Sequence, residues 1–72
     1  METRPLDVLN RGREKRIVII LKNGKEITGK LQAFDIHLNM WLSDAEVSDS
    51  EVTKKYGKLL VRGDNMVYAS PE

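Results

Sequence analysis

The chain has 72 residues, of which 40% are hydrophobic, a formal net charge of +1 and no cysteine. A chain this short forms one domain and buries too little surface to be stable without further support. Disulfides and a bound metal are poor candidates for that support, because there is no cysteine and only one histidine, so self-association is expected. The lack of cysteine, with no apolar N-terminal run of the secretory or membrane-spanning kind, predicts a cytoplasmic protein without membrane contact.

Charge is unevenly distributed along the chain. Residues 1–25 hold seven Lys or Arg against three acidic residues, a charge of +4, whereas residues 26–72 hold five against eight, a charge of −3. This pattern predicts either a molecule that is basic on one side and acidic on another, or an ordinary solvated surface. The sequence leaves both interpretations open.

A short helix and a strand are predicted at the start. Pro5 suits a first helical turn, and Leu6 and Leu9 share one face, which predicts a helix over residues 4–10 that ends before Gly12. The apolar residues 17–21 are mostly β-branched and too few for a stable helix. They predict a strand that is buried on both faces.

A hairpin should follow this strand. The Asn23-Gly24 pair predicts a type I′ turn, after which a second strand returns antiparallel from Glu26. Gly29 interrupts that strand and permits a sharp bend, as a small closed sheet requires. The residues expected on its inner face are Ile27, Leu31 and Ala33.

Three more strands are predicted in the second half of the chain. The third includes residues 40–47, and the polar residues 48–51 are expected to form an acidic loop. The apolar segments 59–61 and 66–69 flank residues 62–65, whose Gly, Asp and Asn suit a tight turn.

The predicted fold is mostly β: a short helix, then a strongly bent five-stranded antiparallel β-barrel over about residues 16–70, in a single domain covering residues 1–72. Such a sheet keeps open edges, and no proline interrupts residues 66–69. An exposed edge there would be a liability in a monomer and a joint in an oligomer, and repeated edge pairing would close a ring.

Two polar segments together have the groups needed to hold one nucleobase. His37 and Arg62 are flat groups that can stack on a base, and the Asn39 amide can read a base edge with two hydrogen bonds. Asp64 could then fix the direction of that amide. Recognition of single-stranded RNA is the activity that these residue types predict.

Plainer explanations exist for each of these residues. His37 could be a surface histidine at a turn, Arg62 a solvated strand end, and Asn39 and Asp64 turn residues that bond only their own backbone. Arg62-Gly63-Asp64 also spells a cell-adhesion tripeptide, but a match of three residues is common by chance. The single histidine has no evident nucleophilic partner, and neither a metal-binding cluster nor a phosphate-cradling glycine motif is found, so no enzymatic activity, metal or cofactor is predicted.

The chain resembles the Sm-like (Sm/Lsm) proteins in their short archaeal form. The residues that carry the resemblance lie between about residues 17 and 69, and they are Leu21-Lys22-Asn23-Gly24, Gly29, Phe34-Asp35, His37, Asn39 and Arg62-Gly63-Asp64-Asn65. The resemblance implies a homoheptameric ring that binds RNA at its pore. Trp41 departs from the usual aliphatic residue beside the first loop, and the sequence leaves open whether it is a core residue, a subunit contact or an extra aromatic ring that faces RNA.

The resemblance also implies a role for each residue of the two base-binding loops. His37 and Arg62 would sandwich a uracil, Asn39 would bond its edge, and Asp64, which follows Gly63 in the second loop, would brace Asn39. Asp35 would hold the first loop in shape.

The sequence is compatible with two functions that belong to different functional classes. The first is an RNA-binding ring that acts in RNA processing, or as an RNA chaperone or scaffold, with uridine-rich single-stranded RNA, further copies of itself and other RNA-processing proteins as partners. The alternative is a structural or protein-binding β-barrel oligomer in which RNA binding is incidental.

Overall fold

One short helix and five strands follow one another in the computed structural model, which describes residues 4–71. The elements are α1 (Pro5–Arg11), β1 (Arg16–Leu21), β2 (Glu26–Phe34), β3 (Met40–Asp49), β4 (Val52–Val61), a 3-10 turn (Gly63–Asn65) and β5 (Met66–Pro71). The strands form one antiparallel sheet in the order β4-β3-β2-β1-β5. The predicted mostly β fold, with a helix ahead of five antiparallel strands, is confirmed, although hydrogen bonds do not close the sheet between β4 and β5.

The sheet bends at two irregularities in the pairing of β2 with β3. The first lies at Gly29, where an added Cβ would stand 3.2 Å from the Cα of Ala45 and 3.2 Å from the Cβ of Leu42. Gly29 is therefore needed at the bend because the neighbouring strand leaves little room for a side chain. The second irregularity lies between Leu31 and Ala33. It moves Ala33 to the exposed face, so its predicted place on the inner face is wrong.

The core lies on the concave face of the bent sheet, and α1 contributes one residue to it. The buried side chains are Leu9, Ile17, Ile19, Ile27, Leu31, Met40, Leu42, Ala45 and Val61. In β1, Ile17 and Ile19 are fully buried whereas Val18 and Ile20 are half-buried. The prediction that β1 is buried on both faces is therefore wrong for the single subunit, because α1 and the concave face cover only one side.

The β1–β2 turn differs from the predicted type I′ turn. Gly24 has a φ of 86°, whereas Asn23 is not among the residues of positive φ, and a type I′ turn needs positive φ at both central positions. The Gly24 N–H donates to the Leu21 carbonyl at 2.9 Å, and the Leu21 N–H donates to the Lys25 carbonyl at 2.9 Å. The hairpin therefore closes over three residues with the glycine last.

The β3–β4 hairpin is longer than predicted, because β3 continues to Asp49 and β4 begins at Val52. Only two residues of the expected acidic loop 48–51 lie outside the strands. The first part of β4 is mostly polar and exposed throughout, so it gives no burial pattern in the sequence. Pairing with β3 holds it instead, and side-chain contacts across the hairpin include Ser48 with Thr53 at 3.3 Å and Glu46 with Lys55 at 3.9 Å.

The remaining differences are at element ends. The helix begins and ends one residue later than predicted, and β5 extends to Pro71. The last strand therefore ends on a proline, which the predicted segment 66–69 did not include. Helix α1 has seven residues, and no described helix is long and apolar enough to cross a membrane.

Candidate nucleic-acid interface

The two polar segments meet at one end of the sheet. The loop of residues 35–39 leads into β3, and residues 62–65 follow β4, whose Val61 pairs with Met40 of β3. This pairing places the two loops side by side above the strand ends. An open cavity of about 430 Å³ lies between them, and it is lined by His37, Asn39, Arg62, Gly63 and Asp64. The fold thus brings together all five predicted base-binding residues.

The carboxylate of Asp35 organises the first loop. Its Oδ1 accepts hydrogen bonds from the backbone N–H groups of His37 at 2.9 Å and Asn39 at 3.0 Å. Its Oδ2 accepts a third hydrogen bond from the side-chain amide of Asn39 at 3.1 Å. These contacts are the geometry expected of a residue that holds the loop in shape.

The same contacts keep Asp35 ionised. The side-chain hydrogen bond from Asn39 is the largest cause that lowers the pKa of Asp35 below its ordinary value of 3.8, and the backbone N–H of Asn39 follows. The N–H and the charge of His37 act in the same direction. At neutral pH the Asp35 carboxylate can therefore only accept hydrogen bonds.

The amide of Asn39 is fixed from both sides. Its Oδ1 accepts a hydrogen bond from the backbone N–H of Gly63 at 3.0 Å, and its Nδ2 donates to Asp35. A backbone N–H must face an oxygen and a carboxylate must face an N–H, so the two neighbours assign the same orientation. One amide hydrogen and one lone pair of Oδ1 remain for a ligand in the cavity.

Asp64 makes a different contact from the one predicted. Its carboxylate lies 3.1 Å from the Nη2 of Arg62, and both side chains are mostly exposed. The predicted orienting contact of Asp64 with Asn39 is therefore wrong in this structure, where Asp35 makes it. Asp35 lies four residues before Asn39 on the same tight loop, whereas Asp64 lies in the 3-10 turn beside Arg62. An exposed ion pair of this kind contributes little and leaves Arg62 able to move.

Gly63 is the point of closest approach between the loops. A Cβ built on Gly63 would overlap the carbonyl oxygen of His37 and would lie 2.9 Å from the carbonyl oxygen of Leu38. Both of these are backbone atoms, which cannot move aside without moving the loop. A side chain at this position would therefore separate the two loops and break the Gly63–Asn39 hydrogen bond.

Gly63→Ala should lower the melting temperature more than Gly57→Ala does. Gly57 is the matched control, because a Cβ there meets nothing within 4 Å and its φ is not in the left-handed region. Breaking a half-buried hydrogen bond and displacing the backbone is expected to cost about 1–3 kcal/mol. Thermal unfolding of the two variants measures the difference, and equal melting temperatures would show that the loops do not depend on this contact.

Two features of the site had no clear signal in the sequence. Leu38 adopts a φ of 62°, which is uncommon for a residue with a side chain, and its packing against the core holds it there. The backbone carbonyl of Asn65 accepts a hydrogen bond from the Lys22 N–H at 2.8 Å, which ties the second loop to the β1–β2 turn. Backbone contacts of this kind depend on the assembled fold. No cluster of residues able to hold a metal ion is found within residues 4–71.

Known proteins match this chain over nearly its whole length. The family model LSM domain matches residues 7–71. An Sm-like snRNP protein of Pyrococcus horikoshii is 54% identical over 72 residues, covering 99% of this chain and 96% of that protein. The solved structure of the Pyrococcus abyssi Sm protein in complex with a uridine heptamer has a TM-score of 0.90 and 51% identity, and covers 97% of this chain and 100% of that one.

The likeness extends to more distant structures. The SmAP1 heptamer of P. aerophilum also has a TM-score of 0.90, at 32% identity, over 100% of this chain and 97% of that one. Family model, sequence and fold therefore agree, and this chain belongs to the LSM domain family of Sm-like proteins.

Proposed function

We propose that this protein forms a homoheptameric ring that binds uridine-rich single-stranded RNA through the cavity between its two polar loops. The observation that carries the proposal is the fixed amide of Asn39 inside that cavity. Support comes from two relatives: the P. abyssi Sm protein was solved with a uridine heptamer, and the P. aerophilum protein is a heptamer.

The free groups of Asn39 match the edge of uracil. Uracil presents an N3–H donor beside a carbonyl acceptor, so Oδ1 of Asn39 can accept from N3–H while Nδ2 donates to the carbonyl. His37 and Arg62 line the same cavity and would supply its two stacking walls. Asp64 pairs with Arg62 at the cavity without fixing it, so the guanidinium can move onto the base, and Gly63 would keep the loops close enough to form the slot.

Ring assembly is supported by the two unpaired edges of the sheet. On β4, Tyr56 and Leu60 are exposed, and on β5, Val67 and Tyr68 are exposed. Pairing β4 of one copy with β5 of the next would satisfy both backbone edges and cover these side chains. Such a contact joins two different surfaces, and its repetition closes a ring when the rotation from one copy to the next closes, as in the P. aerophilum heptamer.

The location and cellular role belong to the same proposal. We infer a cytoplasmic, non-enzymatic protein that acts in RNA processing or as an RNA chaperone or scaffold, with one domain over residues 1–72. Other RNA-processing proteins are further proposed partners. Binding around the ring would be multivalent, because each subunit contributes one slot to the same strand.

His37→Ala and Arg62→Ala should each weaken oligo(U) binding while leaving the ring intact. Each substitution removes one stacking wall, and stacking contributes about 1–3 kcal/mol per base. Arg62→Ala should also reduce the salt dependence if the guanidinium meets phosphate. Titrating labelled oligo(U) at several salt concentrations measures both effects.

Lys54→Ala is a suitable control, because Lys54 is exposed on β4 outside the loop cavity. If both slot variants bind oligo(U) like the parent, the slot is assigned wrongly. The structural or protein-binding alternative would then be favoured.

A further inference from the structure

Trp41 lies on the face of the sheet opposite the core. Its neighbours along β3, Met40 and Leu42, are buried, so the alternation of the strand turns Trp41 outward, where 39% of it is exposed. Its direct cross-strand partners are Ala33 on β2 and Leu60 on β4, both of which are exposed. The indole is therefore flanked by small and aliphatic side chains that leave it accessible.

Unpaired lysines lie on the adjoining row of the same face. Lys30 and Lys58 are both cross-strand partners of Ser43, two residues beyond Trp41 on β3. Both lysines are exposed, and neither makes an ion pair among residues 4–71. We name the set of Trp41, Lys30, Lys58, Ala33 and Leu60 the outer patch.

Other charges near the outer patch do not cancel these lysines. Arg16 pairs with Lys30 across β1 and β2, and its guanidinium reaches the Asp44 carbonyl and the Thr28 hydroxyl, each at 3.5 Å. The carboxylate of Asp44 is exposed nearby, and that of Glu46 lies 3.9 Å from Lys55. Among residues 4–71, Arg16, Lys30 and Lys58 thus make no ion pair, against the one nearby free carboxylate of Asp44.

Ring assembly through the sheet edges would leave Trp41 accessible. In the strand order, β4 separates β3 from the free edge, so a neighbouring strand would pair with β4 and lie two strands away from Trp41. Lys58 and Leu60 lie on β4 itself, where the joint would cover Leu60, whereas Trp41, Ala33 and Lys30 lie on β3 and β2, away from the joint. The outer patch and the base slot share one end of β3, since Trp41 lies two residues, roughly 7 Å, after Asn39.

We propose that the outer patch is a second contact for single-stranded RNA, with a base stacked on Trp41 and phosphates near Lys30 and Lys58. An exposed indole beside unpaired lysines has the two elements of non-sequence-specific single-strand binding, a stacking platform and backbone neutralisation. The charge favours a polyanion as the occupant. The inference rests on the proposed function only in taking RNA as the ligand, because the outer patch contains none of the slot residues.

The chain has a single tryptophan, so indole emission reports on Trp41. The ring is titrated with a seven-nucleotide oligo(U) and with an oligo(U) at least twice as long. Anisotropy of a label on the RNA reports total binding. We expect both strands to bind and the longer one to quench Trp41 emission more strongly, because it extends beyond the slots.

Trp41→Leu should weaken binding of the longer strand about five-fold or more and leave binding of the seven-nucleotide strand within about two-fold. Trp41→Phe keeps an aromatic face and should restore most of the missing affinity. Lys58→Gln is an independent variant that does not touch the indole. For the longer strand it should reduce the slope of log affinity against log salt by about 0.7 for each phosphate that Lys58 no longer neutralises, whereas Lys54→Gln, farther along β4, should not.

Unchanged Trp41 emission at saturating long oligo(U), or parent-like affinity of both Trp41→Leu and Lys58→Gln, would overturn the proposal. The outer patch would then be available for a protein partner instead. A wrong assignment of the slot gives a different result. The seven-nucleotide strand would then fail to bind, whereas the longer strand would still quench Trp41 emission.

Discussion

Oligo(U) is expected to bind far more tightly than oligo(C), and this preference should depend on Asp35 rather than on Asp64. The Asn39 amide is held with Oδ1 toward Gly63 and Nδ2 toward Asp35. Cytosine presents an N3 acceptor beside an amino donor, so the fixed amide would set acceptor against acceptor and donor against donor. A flipped amide would match cytosine, and the two neighbours prevent that flip.

The test compares Asp35→Asn with Asp64→Asn, which make the same chemical change on either side of the slot. An asparagine at position 35 can still accept from the backbone of the loop, but it can turn an N–H toward Asn39 and so weaken the fixed orientation. We expect the ratio of oligo(U) to oligo(C) affinity to fall about five-fold or more in Asp35→Asn. In Asp64→Asn the ratio should stay near that of the parent, although overall affinity can change because Arg62 loses its charged partner.

The pH dependence of the ratio gives a second check. The pKa of Asp35 is lowered, so its hydrogen bonds persist above its ordinary value of 3.8 and are lost only as the pH falls through the lower folded value. Between about pH 7 and about pH 5 the ratio should be constant, because the Asp35 carboxylate stays ionised over this range. A ratio that collapses within this range, or one that follows Asp64 instead of Asp35, would show that Asp35 does not hold the amide.

Much of the fold was predictable, because it depends on local patterns. The β-branched residues of β1, the glycine of the first turn and the apolar segments around residues 62–65 each identify an element by themselves. The polar half of β4 was missed because cross-strand partners stabilise it without burial. Likewise, the place of Ala33 depends on an irregularity in strand pairing, which leaves no mark in the sequence around it.

The candidate site was likewise predictable only in part. Residue types identified His37, Asn39 and Arg62, since stacking and edge recognition require flat and amide groups. Which carboxylate holds the amide could not be chosen from the sequence, because Asp35 and Asp64 are both close to candidate residues along the chain. The choice depends on the loop geometry, including the left-handed backbone of Leu38, which the core stabilises.

Tyr68→Glu should separate the ring into smaller species and lower oligo(U) affinity by about 100-fold or more. Tyr68 is 59% exposed on the free edge strand β5, so a glutamate there does little harm to the isolated subunit. In the joint with β4 of the next copy, the same glutamate would have to leave water and face apolar side chains such as Tyr56 and Leu60. Dissociation would then remove multivalent binding, which raises the total affinity by a factor of about 10² to 10⁴.

Native mass spectrometry and light scattering at micromolar concentration measure the assembly, and Tyr68→Phe, which keeps the apolar ring, is the control that should remain heptameric. A parent protein that is monomeric would refute the ring, whereas six subunits would correct only their number. If Tyr68→Glu stays heptameric and binds oligo(U) like the parent, the β5 edge is not the joint. The exposed side chains of β4 and β5 would then need another partner, since an unpaired edge of this length favours association.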